Sequence, residues 1–217
     1  MITLKQFSFS PFEEATFVLS DQTGECIIVD AGCYTREERE ALKHYIAGAQ
    51  LKPTLLLNTH GHVDHLLGSR FVTDTWNVPF AMHKADSYLL DNAVTQGQMF
   101  GLRTEAPPAV DRWVEEGEEI LFGNSGLSVL HVPGHSPGSL LFYCSEQAFL
   151  IAGDVLFAGS IGRTDLYGGN YDTLIDGIYA KVLVLPPETT VYPGHGPKTT
   201  IERELVGNPF LLRLGRV

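Results

Sequence analysis

Four short apolar runs in this chain each end beside glycine in a histidine or an aspartate. "PTLLLNT" gives way to His60 and Gly61, and "LSVLHV" to Gly134 and His135. "QAFLIA" gives way to Gly153 and Asp154, and "TTVY" to Gly194, His195 and Gly196. Runs of this length and composition predict strands, and a continuously apolar strand such as "TLLL" predicts a central one covered on both faces. Strand ends are rigid and the loops beyond them carry function. Glycine lets such loops turn tightly enough to converge on one point. The fold must therefore gather four strand ends.

The densest of these turns is "THGHVDHLLG", with His60, His62, Asp64 and His65 inside six positions. Imidazole and carboxylate suit zinc, iron or manganese, and the lack of thiolate ligands argues against a structural zinc finger. His60 and His62, two apart on a turn, can face one ion, with His135 completing it. Asp64 and His65, expected at the start of the next helix, can face a second ion together with His195. Asp154 can bridge the pair. Asp30, in "IIVDAG", is the expected partner that orients one of the histidines. His44, His83 and His131 have no such setting and are expected to be structural.

The rest of the chain predicts an α/β protein. "ITLKQFSF", "ATFVLSD" and "GECIIVD" predict strands, with "DQTG" supplying the turn between the last two. "TREEREALKHYIAGA" predicts a helix, capped by Thr35 with Glu38 three residues on. "HLLGSRFVTDTW" and "KADSYLLDNAVTQG" predict helices on either side of a strand "VPFAMH". The stretch 97–112, with Gly97, Gly101, Pro107 and Pro108, predicts a surface loop. Strands resume with "LSVLHVP", "SLLFYC", "QAFLIAG" and "TTVYP", and "YDTLIDGIYAKVLVL" predicts a helix between the last two. The acidic run "VEEGEEI" is expected to be a solvated turn. Strands followed by helices thus occur twice, with no linker. One domain spanning 1–217 is expected, its two halves meeting near 97–112 and packing as a four-layer αββα sandwich.

Composition narrows the partners. A formal net charge of -11 disfavours a nucleic-acid partner, which needs a basic patch. No run approaches the length of a membrane span, and "MITLKQFSFSPFEE" lacks the pattern of a signal peptide. Cys26, Cys33 and Cys144 have no CxxC spacing and form no disulfide framework; Cys26 and Cys144 sit in apolar runs as small core residues. A reducing cytoplasm is the expected compartment.

With these residues in place, the chain resembles the metallo-β-lactamase fold superfamily over nearly its whole length. The family pattern HxHxDH corresponds to His60, His62, Asp64 and His65, followed in order by His135, Asp154 and His195. "IIVDAG", "PGHSPGS", "AGDVLF" and "YPGHGP" fall in the family's order. "GRTDLYGGNYDTL" and "GHGPKTTIERELVGNPFL" look like the short glyoxalase II-like (hydroxyacylglutathione hydrolase-like) branch.

The resemblance implies two divalent metal ions, with zinc expected and iron or manganese compatible, and a small acyl-thioester substrate. Two such ions against Asp64, Asp154 and a hydroxide leave one positive charge in excess, matched to the oxyanion of an attacked thioester carbonyl. Asp64 would orient the hydroxide. β-Lactamases of this fold usually carry cysteine where this chain has Asp154, and the long glyoxalase II enzymes add a C-terminal helical region absent after "NPFLLRLGRV". Arg163 lies near the family's basic substrate-contacting residue; an ion pair with Asp165 is the equal alternative. The runner-up branch is the persulfide dioxygenases, which also carry "GRTD" but hold one iron on residues matching His60, His135 and Asp154.

Overall fold

The apolar runs form two six-stranded sheets that pack face to face. The structure, a computed structural model, describes residues 1–212. In the first sheet, β1 (Thr3–Phe9), β2 (Glu14–Ser20), β3 (Glu25–Val29), β4 (Lys52–Leu57), β5 (Phe80–Met82) and β6 (Arg112–Trp113) lie side by side in chain order. In the second sheet β7 (Glu119–Phe122), β8 (Ser125–His131), β9 (Leu140–Cys144) and β10 (Phe149–Gly153) continue the antiparallel run. A small hairpin, β11 (Leu156–Phe157) and β12 (Ser160–Ile161), stands apart. Then β13 (Thr190–Pro193) adds parallel to β10, and β14 (Thr199–Thr200) closes the edge. The chain passes from one sheet to the other between Trp113 and Glu119, just beyond the stretch 97–112.

Three apolar layers follow from the alternation of side chains along the strands. Phe17, Leu19, Ile27 and Val29 meet Val129, Phe142, Phe149 and Ile151 between the sheets. The opposite faces, with Val18, Ile28 and Leu56, pack under Leu42 and Ile46 of α1 (Arg36–Gly48) and Val72 of α2 (Ser69–Trp76). Leu141, Leu150 and Val191 pack under Leu174 of α5 (Tyr171–Gly177) and Ile201 of α6 (Ile201–Gly207). Between α2 and α5 in the chain lie α3 (Ser87–Asp91) and α4 (Ala93–Met99). This is the expected αββα sandwich, and it explains why central strands such as β4 carry no polar face. The capping box of Thr35 and Glu38 forms as expected, and Glu38 also receives the Ser10 and Tyr34 amides.

Several local expectations are corrected. "HLLGSRFVTDTW" is not one helix: Val63–His65 form a single 3-10 turn, and α2 starts only at Ser69. The delay is imposed at Gly68, whose amide bonds to the Ala31 carbonyl and whose Cα lies so close to the Cys33 sulfur that a Cβ would stand 2.3 Å from it. "KADSYLLDNAVTQG" breaks into a turn at Lys84–Asp86, α3 and α4, with Asn92 at the second break donating its side-chain amide to the Tyr88 carbonyl. Because α4 runs to Met99 and β6 takes Arg112, the loop is shorter than 97–112. The acidic run "VEEGEEI" is a turn only in its first half; β7 begins at Glu119. The strands β11, β12 and β14 and the helix α6 are too short to show a period in sequence. In the second half, α5 continues as a π-helical turn over Ile178–Val182. The apolar tail "NPFLLRLGRV" lies only in part within the described residues, which end at Leu212. Among them, no helix is long and apolar enough to cross a membrane.

The three cysteines are buried and unpaired. Burial pushes the Cys26 and Cys33 thiols up to about 12, leaving negligible thiolate at neutral pH. Native protein titrated with an aromatic disulfide reagent at pH 8 should therefore show no fast-reacting thiol, and all three should react once guanidinium unfolds it. A thiol that reacts within the mixing time in the native protein would contradict this packing.

Candidate metal centre

Parallel pairing puts the carboxyl ends of β3, β4 and β5 at one edge of the first sheet, and those of β10 and β13 at the facing edge of the second. Asp30 follows β3, His60 follows β4, Asp154 follows β10 and His195 follows β13. His135 enters from the loop between β8 and β9. The edges are laced together where they meet. The Leu140 amide donates to the Thr59 carbonyl, the Gly194 amide to Gly153, and the Ala15 amide to Gly194. Gly194 has no room for a side chain, since a Cβ would stand 2.2 Å from the Asp154 carboxylate and 2.8 Å from the His65 ring. Gly134 takes a φ of 128° and presses its Cα onto the Leu174 amide, a conformation that only glycine adopts readily.

The seven predicted ligands come together. Ligand atoms of His60, His62 and His135 lie within 4.8 Å of one another, as do those of Asp64, His65 and His195, and those of His60, His65 and Asp154. In the first group His62 Nδ1 is 2.9 Å and His60 Nε2 3.3 Å from His135 Nε2. In the second, His195 Nε2 is 3.1 Å from the Asp64 carboxylate. Asp154 stands between them, 3.6 Å from His65 Nε2, 3.7 Å from His135 Nε2 and 3.6 Å from His195 Nε2.

Hydrogen bonds on the far side of four rings fix which nitrogen carries the proton. His135 Nδ1 donates to the Arg163 carbonyl at 2.8 Å and His195 Nδ1 to the Phe12 carbonyl at 3.0 Å. His65 Nδ1 donates to Asp30 at 3.0 Å. Thr59 has one hydroxyl proton, which it gives to Asp30 at 2.6 Å, so it accepts from His60 Nδ1 at 3.0 Å. All four Nε2 lone pairs therefore point into the shared centre, the arrangement a metal requires of its histidines.

The electrostatics separate the two groups: His60, His62 and His135 are held neutral, while the carboxylates around His65 and His195 raise both rings despite their burial. Burial drives His60 well below its usual range, His62 to about 4 and His135 to about 3, so these rings stay neutral and keep their lone pairs. Burial works to lower His65 as well, but Asp64, Asp30 and Asp154 outweigh it and raise it. Burial pushes Asp154 up to about 6 against the pull of His65 and His195. The fit to cations rests on two atoms: His65 Nε2 and Asp154 Oδ1 are buried, face each other and have no hydrogen-bond partner. Packing imidazole nitrogens and carboxylates this closely without donors between them is costly unless a cation joins them.

Two buried carboxylates were not foreseen. Glu14, at the start of β2, is fully buried, with Oε2 accepting from Thr16 and Oε1 3.8 Å from His65 Nδ1 with no hydrogen-bond partner. Burial pushes its carboxyl well above the usual range. Its backbone bridges to His195 while its side chain faces His65, so it touches two residues of one group. Asp86 accepts from the Gly61 amide, the Gly138 amide and the Ser136 hydroxyl, tying the turn of His60 and His62 to the loop of His135. In sequence, only an acid opening an otherwise apolar strand hinted at Glu14, and nothing marked Asp86.

Arg163 lies at the rim with its guanidinium on Asp165 at 2.7 and 2.8 Å, so the ion pair forms while the side chain also lines the cavity above the centre. The other histidines lie outside. His83 and His131 stack on each other with ring centroids 4.2 Å apart, and His44 bonds to the Glu40 carbonyl on α1.

Three substitutions test this construction. Asp86→Ala leaves two buried amides unsatisfied and should cost about 3 kcal/mol of stability or more, measured by urea unfolding, with loss of bound metal. Gly194→Ala should reduce metal content while the fold, judged by circular dichroism, persists. Glu14→Ala should weaken metal retention against a chelator at the Asp64, His65 and His195 group before the His60, His62 and His135 group. Full retention of two ions by the last two variants would contradict the geometry.

Known proteins place this architecture. The Metallo-beta-lactamase superfamily matches residues 12–195. The chain is 40% identical over 199 residues to the "Probable metallo-hydrolase YqgX" of Bacillus subtilis (strain 168), covering 91% of each chain. It is 36% identical over 206 residues to the "Hydroxyacylglutathione hydrolase GloC" of Haemophilus influenzae, covering 92% of this chain and 93% of the other. Among solved structures it is similar to the BLEG-1 B3 metallo-beta-lactamase, with a TM-score of 0.89 and 37% identity over 97% of this chain and all of that one. It is also similar to TTHA1623 in a di-iron-bound form, with a TM-score of 0.85 and 36% identity over 95% of this chain and all of that one. The paired sheets, the ligand-bearing turns and these matches together show that the chain belongs to the metallo-beta-lactamase superfamily.

Proposed function

We propose that the protein is a dinuclear-metal hydrolase that cleaves a thioester such as S-lactoylglutathione. The observation that carries this reading is the second ligand group. A single-iron centre of the dioxygenase kind needs only His60, His135 and Asp154, yet Asp64, His65 and His195 also converge, with His65 fully buried. The similarity to a hydroxyacylglutathione hydrolase supports the substrate class.

In this reading His60, His62 and His135 would hold one ion and Asp64, His65 and His195 the other, with Asp154 available to both. Bound there, two divalent ions supply hydroxide at neutral pH and polarise the acyl carbonyl. The donor set suits zinc, and the similarity to a di-iron-bound structure keeps iron in play. The chain's own residues do the rest. Asp64, with one oxygen 3.1 Å from His195, is placed to orient the attacking oxygen. Asp30 and Thr59 keep His65 and His60 in the ligating tautomer. The free cysteines fit a reducing cytoplasm, where a small-molecule thioester would be met.

One purified sample should be assayed for S-lactoylglutathione hydrolysis, for oxygen consumption with glutathione persulfide and for turnover of a chromogenic β-lactam. Thioester cleavage, lost with Asp154→Ala together with metal, is the expected outcome. Oxygen uptake without thioester cleavage, or a fully active and fully loaded Asp154→Ala variant, would overturn the proposal.

A further inference from the structure

Above the ligand cluster lies an open cavity of about 700 Å³ whose walls differ sharply from its floor. The floor is the histidines and carboxylates already described. One wall is Tyr88 of α3 stacked on Tyr167, with ring centroids 4.0 Å apart and planes 25° from parallel. Phe12, with Phe100 set edge-on at 5.4 Å between centroids, also lines it. Met99 and Leu166 fill in between. Tyr88, Tyr167, Phe100 and Met99 are each half or more exposed. Large apolar side chains held at the surface around a polar floor mark a site that an apolar ligand covers.

Charge narrows the ligand. Among the residues lining the cavity, Arg163 is the one Lys or Arg, and the Nε and Nη2 edge of its guanidinium is paired with Asp165. Glutathione carries two carboxylates and an ammonium, and the walls offer those two carboxylates a single cation, itself already paired with Asp165. Asn92, Thr95 and Gln96 also line the cavity, but a hydroxylated acyl group gains little from the tyrosine rings and the methionine. An aromatic or bulky aliphatic acyl group gains burial.

We infer that the cavity selects thioesters whose acyl group is apolar and about the size of a ring, with Tyr88 and Tyr167 as the specificity-determining pair. This rests on the thioester reading above and moves its preferred member from S-lactoylglutathione to an arylacyl or branched-acyl thioester of a weakly charged thiol. The ring lies against the tyrosine and phenylalanine side chains while the carbonyl meets the floor.

The test uses the metal-loaded protein and two thioesters of one uncharged thiol, phenylacetyl- and lactoyl-N-acetylcysteamine. The phenylacetyl ester should have the higher kcat/KM by about tenfold or more. Tyr88→Ala should raise KM for that ester by about tenfold with a smaller change in kcat, and Tyr88→Phe should restore it. Calorimetric titration with the product carboxylates should show phenylacetate binding about tenfold tighter than lactate. Lactoyl turnover equal to or above phenylacetyl turnover would overturn the inference and leave the thioester reading standing. If loaded protein cleaves neither ester and not S-lactoylglutathione either, the thioester reading fails, and the two carboxylate affinities still decide the cavity: equal binding overturns the inference, tighter phenylacetate upholds the apolar slot.

Discussion

The carboxylate of Asp30 is the point from which the candidate centre is organised. It follows β3 with a φ of 52°, a left-handed backbone that turns the side chain back under the end of β4. There it accepts from the Thr59 amide at 2.7 Å, the Thr59 hydroxyl at 2.6 Å and His65 Nδ1 at 3.0 Å. Through Thr59 it also decides the proton on His60. One buried anion thus sets the tautomer of a histidine in each ligand group. The strain of its backbone is held by the pairing of β3 with β4, where Asp30 N also donates to the Leu57 carbonyl.

From this node the rest of the architecture has a physical reason. Parallel pairing makes strand ends coincide, and strand ends carry the ligands. The two sheets must meet closely enough for Leu140 to bond Thr59, and Gly194 must lack a side chain for Asp154 and His65 to approach. Glu14 and Asp86 sit behind the ligands, one bridging two residues of a single group and the other joining two loops. The aromatic walls stand outside this rigid set, on α3, α4 and loops, where a family with one chemistry can vary its ligand without disturbing the floor.

Much of this was legible in the sequence because ligands and strand ends leave local signatures. The apolar runs before His60, His135, Asp154 and His195 were visible as periodic patterns, and the four-layer arrangement followed from their repetition. Asp30 was found because an aspartate closing "CIIVD" stands at a strand end. Glu14 and Asp86 were not, since their roles depend on contacts with His65 some 50 residues away and with Gly138 some 50 residues away, which no local window contains. The helix beginning at His65 failed for a related reason: the turn that presents Asp64 and His65 is held by Asn58 donating to the His65 carbonyl, a tertiary constraint that overrides helical period. The Tyr88 and Tyr167 stack joins residues of the two halves at the cavity wall, so neither ring could be assigned a place from sequence.

The central claim is that two ions, not one, organise this centre. Anomalous diffraction from crystals of the metal-loaded protein, recorded on both sides of the zinc and iron absorption edges, tests it most directly. The account predicts two anomalous peaks per chain, one among His60, His62 and His135 and one among Asp64, His65 and His195, with Asp154 touching both. A single peak bound only by His60, His135 and Asp154 would contradict it and leave the second group without the role given to it here.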